Sequence, residues 1–244
     1  MSSWIKYYTP CVDTRFFWVC LPYAGGTAHI YREWPAKLNK DAAILAVQLP
    51  GHGDRLKEKP YNSMEVLVGE LTQELFPIIK DKPWGIFGHS LGALISYQLI
   101  LKLHKCKKMS LPKFFVASGC RAPFKKYIFD ISAANFSQFK SVLKQIGGIP
   151  QAILEDEKIL KFYAPLLKAD FKLAEYVSKK KRLNNIKALI LIGMDDEIVP
   201  LEDAKAWEKC FSFPTFHFFK GKHFFIHHHE EQIIKLLNNL ETKG

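Results

Sequence analysis

Residues 84–103 read Trp-Gly-Ile-Phe-Gly-His-Ser-Leu-Gly-Ala-Leu-Ile-Ser-Tyr-Gln-Leu-Ile-Leu-Lys-Leu, and their order decides the fold. Trp84 to Gly88 is a short apolar run that predicts a buried strand, and Leu91 to Leu103 is an apolar run of helical length. Between them stands the turn Gly88-His89-Ser90-Leu91-Gly92. A strand that turns sharply into a helix holds its central residue in a strained conformation and pushes that side chain out at the carboxyl end of the sheet. Glycines two residues to either side let the backbone pass where a Cβ would clash. The helix that follows aims its positive N-terminal end at the same place. The five-residue pattern alone is weakly specific. With a strand before it and a helix after it, the pattern predicts Ser90 as an exposed nucleophile.

Outward from this turn the chain alternates strand-like runs with helical ones. Phe16 to Leu21, Ala42 to Leu49, Lys113 to Ser118, Lys187 to Ile192 and Thr215 to Phe219 read as further strands. Several are continuous apolar runs, as strands buried on both faces are. Ser63 to Ile79, with Ser63 as N-cap, Glu202 to Phe211 and Glu230 to Leu240 read as helices. Arg121 to Val177 has no clear strand and consists of amphipathic pieces broken at Gly147-Gly148-Ile149-Pro150 and at Pro165. The expectation is one α/β domain over 1–244 with a mostly parallel sheet, helices on both faces and a helical lid inserted at about 121–182. With the nucleophile turn, this is the pattern of an α/β-hydrolase fold.

A serine hydroxyl is a poor nucleophile at neutral pH and needs a base, which in turn needs an orienting acid. In this fold they follow in the order Ser, acid, His. The run Lys187 to Gly193 is followed by Met194-Asp195-Asp196-Glu197, and Thr215 to Phe219 by Lys220-Gly221-Lys222-His223. Both segments fall at strand carboxyl ends. Asp196 is the expected acid, in the frame Gly193-x-x-Asp196-x-x-Val199, and His223 the expected base. Asp195 reads as a capping or solvated neighbour, and His89 as a packed one. His223-x-x-x-His227 has metal-like spacing but lacks the Glu of H-E-x-x-H, and no metal is expected. The oxyanion of an acyl-transfer intermediate needs amide donors. The expected pair is the N–H of Leu91, directly after the nucleophile, and that of Ala24 in the loop Leu21-Pro22-Tyr23-Ala24-Gly25-Gly26.

The whole chain sets outer bounds. Its 244 residues suit a single α/β domain, and 48% are hydrophobic, which places it among globular chains. No apolar run reaches the roughly 20 residues of a membrane span, and no signal-like segment opens the chain. Cys11, Cys20, Cys106, Cys120 and Cys210 are scattered and odd in number, which predicts reduced, mostly buried thiols and a cytoplasmic protein. The 35 Lys and Arg against 24 Asp and Glu leave a net charge of +11. The lysines include runs at Lys105-Cys106-Lys107-Lys108 and Lys179-Lys180-Lys181-Arg182. No nucleic-acid-binding motif accompanies them, so no nucleic-acid partner is expected. No dimerisation element is evident, and a monomer is expected.

The chain resembles the type II, or editing, thioesterases of non-ribosomal peptide and polyketide synthesis. Leu21-Pro22-Tyr23-Ala24-Gly25-Gly26 resembles that family's F/L-P-x-A-G-G. Leu49-Pro50-Gly51-His52-Gly53-Asp54-Arg55, then Glu58, resembles P-G-R-G-x-R-x-x-E, with His52 where Arg is frequent. Gly88 to Gly92 matches G-H-S-x-G. Gly147-Gly148-x-Pro150, Asp156 and Ala169-Asp170-Phe171 resemble family residues of the lid. Asp203-Ala204 with Trp207 resembles D-A-x-x-W, and His223-Phe224-Phe225 resembles G-H-F-F, with Lys222 in place of the usual second Gly. The resemblance implies hydrolysis of acyl thioesters held on the phosphopantetheine arm of an acyl or peptidyl carrier protein, with no cofactor of the enzyme's own. A general esterase or acyltransferase of the same fold, and a catalytically silent carrier-binding protein, remain alternatives.

Overall fold

In the computed structural model, described over residues 3–8, 14–106, 110–129 and 131–242, the apolar runs assemble into one seven-stranded sheet. Its strands are β1 (Ile5–Lys6), β2 (Phe16–Leu21), β3 (Ala42–Val47), β4 (Trp84–His89), β5 (Phe114–Ser118), β6 (Lys187–Gly193) and β7 (Thr215–Phe219). Their order is β1-β3-β2-β4-β5-β6-β7, and all neighbours pair in parallel except β1 with β3. Successive side chains leave a strand on opposite faces. Trp18 and Cys20 of β2 accordingly join Ile44, Phe87 and Val116 on one side, while Val19 and Leu21 join Leu45, Ile86 and Phe115 on the other.

Seven helices complete the architecture: α1 (Met64–Ile79), α2 (Leu91–Lys105), α3 (Phe136–Ile146), α4 (Gln151–Glu155), α5 (Glu157–Ala174), α6 (Leu201–Lys205) and α7 (Glu230–Thr242). Leu71 of α1 and Leu99 of α2 pack on the Val19 face, and Ile233 and Leu237 of α7 on the Trp18 face. Both faces of β2 to β6 are thus covered, which is why those strands read as unbroken apolar runs, while the edge strand β7 is partly exposed. Ser63 caps α1 by accepting from the Val66 N–H.

Three expectations change. The Glu202–Phe211 helix divides into α6 and a tighter turn over Ala206–Lys209. Fully buried Trp207 holds that turn, with Nε1 donating to the Cys120 carbonyl at 2.9 Å. Pro165 does not break its helical piece: α5 runs through it. Pro165 is exposed, so the carbonyl it deprives of a donor can reach water, while Leu160, Leu167 and Phe171 keep the opposite face packed. The third run ends at Val47 and not Leu49, because Gln48 leaves the sheet to bond Trp4 and Ala28.

Between β5 and β6 the described residues form α3, α4 and α5 and no strand. Cys20, Cys120 and Cys210 are buried and Cys106 is exposed. Cys11, Lys107 and Lys108 lie outside the described residues. Among those described, no helix is long and apolar enough to cross a membrane.

Candidate active site

Every parallel strand ends at one edge, and the candidate residues collect there. Ser90 stands between β4 and α2 at φ 53° and ψ −116°, the one described non-glycine residue with positive φ. A Cβ on Gly88 would collide with the backbone of Gly92, and one on Gly92 with the Leu21 carbonyl. The flanking glycines are therefore required by close backbone approach. The turn is fixed from below by Ser90 N–H donating to the Ser118 carbonyl at 2.8 Å.

His223, on the loop after β7, brings Nε2 to 3.0 Å from Ser90 Oγ and Nδ1 to 2.8 Å from Asp196 Oδ2. Asp196 holds its own position because Oδ1 accepts from the N–H groups of Ile198 at 2.9 Å and Val199 at 3.1 Å. A carboxylate only accepts, so Nδ1 carries the imidazole proton and the Nε2 lone pair faces the Ser90 hydroxyl. The residues expected from the sequence thus form one row. Asp195 is neither free nor a helix cap. Its carboxylate accepts from Gly221 N–H at 3.0 Å, and its own N–H donates to the Gly221 carbonyl at 3.0 Å. It clasps the acid-bearing loop to the histidine-bearing loop.

His89 is fully buried, with Nδ1 2.9 Å from Ser118 Oγ. Burial, reinforced by His223 and His227, holds its pKa well below the ordinary histidine value, so it stays neutral. His227 turns its Nε2 to the Tyr23 hydroxyl at 2.9 Å, and so does not converge with His223 on a common point. No cluster of three or more His, Cys, Asp or Glu side chains suited to a metal occurs among the described residues.

The β2 loop supplies the other candidate donor. Gly26 N–H closes a tight turn on the Tyr23 carbonyl at 2.8 Å, and Gly25 takes φ 75°. Ala24 then lies with Ser90 on the wall of a cavity of about 370 Å³. The cavity runs under the helices between β5 and β6 and is lined there by Leu143, Ile149, Leu160, Leu167 and Phe171. Tyr127 also lines it; burial drives its phenol pKa far up, so it offers a neutral hydroxyl. Sequence reading gave no role to Tyr127, nor to His52 and Asp170, whose buried contact (2.8 Å between Nε2 and Oδ2) joins the β3 loop to α5.

A parallel sheet carrying a Ser–His–Asp row at its carboxyl edge places the molecule in the α/β-hydrolase class. Within that class the chain belongs to the thioesterase domain family, which matches residues 18–240. It is 32% identical over 247 residues to linear gramicidin dehydrogenase LgrE of Brevibacillus parabrevis, covering 98% of this chain and 92% of that one. It is 31% identical over 221 residues to the medium-chain S-acyl fatty acid synthase thioesterase of Rattus norvegicus, covering 88% and 82%. Among solved structures it resembles the type II thioesterase BorB from the borrelidin biosynthetic cluster, with a TM-score of 0.84, 28% identity and 97% of each chain covered.

Proposed function

We propose that this protein hydrolyses acyl thioesters on the phosphopantetheine arm of acyl or peptidyl carrier proteins, clearing or releasing acyl groups during non-ribosomal peptide or polyketide assembly. The observation that carries the reading is His223 bridging Ser90 and Asp196 at the floor of a helix-roofed apolar cavity.

The steps follow from the geometry. Ser90 Oγ attacks the thioester carbonyl as His223 Nε2 takes its proton. Asp196 fixes the tautomer and steadies the imidazolium. The N–H groups of Ala24 and Leu91 hold the oxyanion. His223 returns the proton to the departing thiol. Water, with His223 again as base, then frees the acid. Nothing in these steps calls for a metal or a cofactor beyond the arm the substrate brings. The helices α3 to α5 act as a lid that shields the acyl-enzyme. The enzyme acts as a cytoplasmic monomer.

One relative is named a dehydrogenase. A Rossmann-type dinucleotide site carries a G-x-G-x-x-G turn after its first strand, whereas the loop after β2 reads Pro22-Tyr23-Ala24-Gly25-Gly26. The test is intact-mass analysis of an acyl-loaded carrier protein incubated with wild type or Ser90→Ala. Loss of the acyl group with wild type alone supports the proposal. Retention by both, alongside cleavage of a matched oxygen ester, would move the assignment to a general esterase.

A further inference from the structure

Three segments distant in sequence meet at one buried carboxylate. Asp170 Oδ2, on α5, accepts from Gly25 N–H at 2.6 Å and lies 2.8 Å from His52 Nε2. The other ring nitrogen, Nδ1, lies 3.0 Å from the Pro50 carbonyl oxygen. A carbonyl oxygen has no proton to offer, so Nδ1 must be the donor there. The contact between Nε2 and Oδ2 then needs a proton of its own, because a neutral imidazole protonated on Nδ1 would set a lone pair against a carboxylate. A proton on Nε2 supplies it, so both ring nitrogens of His52 are donors and the pair keeps one shared proton. His52 and Asp170 are 2% and 1% exposed, so water cannot substitute for that bond.

The electrostatic surroundings agree. Burial alone would depress His52, yet the charge and hydrogen bond of Asp170, aided by the backbone at Pro50 and Leu49, leave it raised. The other charged groups nearby are engaged elsewhere. On the β3 loop, Arg55 grips Glu58 and the Gln48 carbonyl, and Asp54 pairs with Lys6. Across the cavity, His223 is held between Ser90 and Asp196. From the β2 loop the Gly25 amide donates to Asp170, and Tyr23, on the same cavity wall, is kept neutral by burial.

The clasp fixes the turn that matters for chemistry. Gly25 follows Ala24, and a Cβ on Gly25 would press 2.7 Å from Leu167 of α5, so the turn already lies tight against that helix. Resting on the thioesterase reading above, we propose that His52 and Asp170 are positioning residues whose shared proton holds the Ala24–Gly25 turn in place for oxyanion binding. Loss of the proton as the pH rises puts an unpaired carboxylate against a neutral ring, loosens the Gly25 tether and slows turnover. His52 also borders the cavity, but the role assigned to the pair runs through the Ala24 amide.

The experiment compares kcat from about pH 6 to pH 10 on a soluble acyl-pantetheine thioester, with Ser90→Ala as background. Wild type is expected to lose about tenfold in kcat on an alkaline limb, a modest share of what a misplaced oxyanion donor costs. His52→Arg, which keeps a positive charge on Asp170 at every pH, is expected to remove that limb. Asp170→Asn should lower kcat by about tenfold to a hundredfold across the range, with no alkaline limb and a smaller change in KM. In parallel, imidazole nitrogen NMR on the Ser90→Ala protein should show His52 carrying protons on both nitrogens at neutral pH, titrating above the ordinary histidine range, and losing that signature in Asp170→Asn. A His52 singly protonated at neutral pH would overturn the shared proton. A kcat that stays flat while His52 titrates, or an alkaline limb that persists in His52→Arg, would overturn the positioning role. Failure of wild type to hydrolyse any thioester would instead defeat the thioesterase reading, with the NMR result standing apart from it.

Discussion

Asp195 and Asp196 adjoin in sequence and do different work. Asp196 was legible because its frame, three residues after Gly193 and three before Val199, describes a turn. The structure gives the cause: Oδ1 closes that turn on the amides of Ile198 and Val199, which leaves Oδ2 for His223. Asp195 gave no such signal, since its partner Gly221 lies 26 residues away. His52 and Asp170 were illegible as a pair for the same reason, at a separation of 118 residues. If Asp196 selects the tautomer, Asp196→Asn should lower kcat by about a thousandfold to ten-thousandfold with KM little changed; steady-state kinetics on a soluble thioester would show it, and a loss below tenfold would refute the role. His89 yields a prediction about pH. Its folded pKa is depressed while the unfolded chain has the ordinary value near 6.5, so between the two the unfolded state binds more protons. Its contribution to stability is complete above that ordinary value and is lost as the pH falls below it toward the folded pKa. Urea unfolding of His89→Asn should therefore show less acid destabilisation than wild type, by about 1.4 kcal/mol per pH unit below that value. Parallel curves for the two proteins would mean that His89 is protonated when folded.

Element by element, strands β2 to β6 were legible because burial on both faces writes a continuous apolar run, and the main departures occur where tertiary contacts override local preference. The two residues of β1 are too few to carry a period, and β1 exists by pairing with Val47 and Ala46. The Pro165 signal for a break is real chemistry outweighed by the buried face of α5. Pro165→Ala should restore an amide donor to the helix and raise unfolding stability by about 1–3 kcal/mol. Urea denaturation measures this, and a loss of stability would show that the proline ring itself packs. The loop between α3 and α4 offers a sharper case. Gly148 takes φ 77°, and a Cβ there would fall within the Phe224 ring, one residue beyond His223. Gly148→Ala combines left-handed strain of about 1–2 kcal/mol with a steric push. The loop should lift from Phe224 and open the cavity roof to water. We expect kcat/KM for a bulky apolar acyl thioester to fall by about tenfold, with acetyl thioester affected less. Equal losses on both substrates would place the damage at His223 instead of the roof.

At the scale of the whole molecule, fold and charge answer separate questions. The fold sets where side chains converge, since parallel strands deliver Ser90, Asp196 and His223 to one edge from β4, β6 and β7. The net charge of +11 says nothing about that edge, but it does bear on what approaches it. Many of these cations lie on the surface: Lys57, Lys59, Lys144 and Lys158, for example, are exposed. A surface field of this kind accelerates encounter with an acidic partner and is screened by salt, whose Debye length shrinks from about 10 Å at 0.1 M to about 3 Å at 1 M. If the substrate arrives on an acidic carrier protein, kcat/KM on the loaded carrier should fall by about tenfold or more across that salt range. For an uncharged pantetheine thioester it should stay nearly constant, because no charge on the substrate is there to be steered. The comparison cancels any direct effect of salt on the chemistry. Equal salt dependence for the two substrates would remove electrostatic steering as the reason for the basic surface. A fall confined to the carrier would tie the surface charge to the partner.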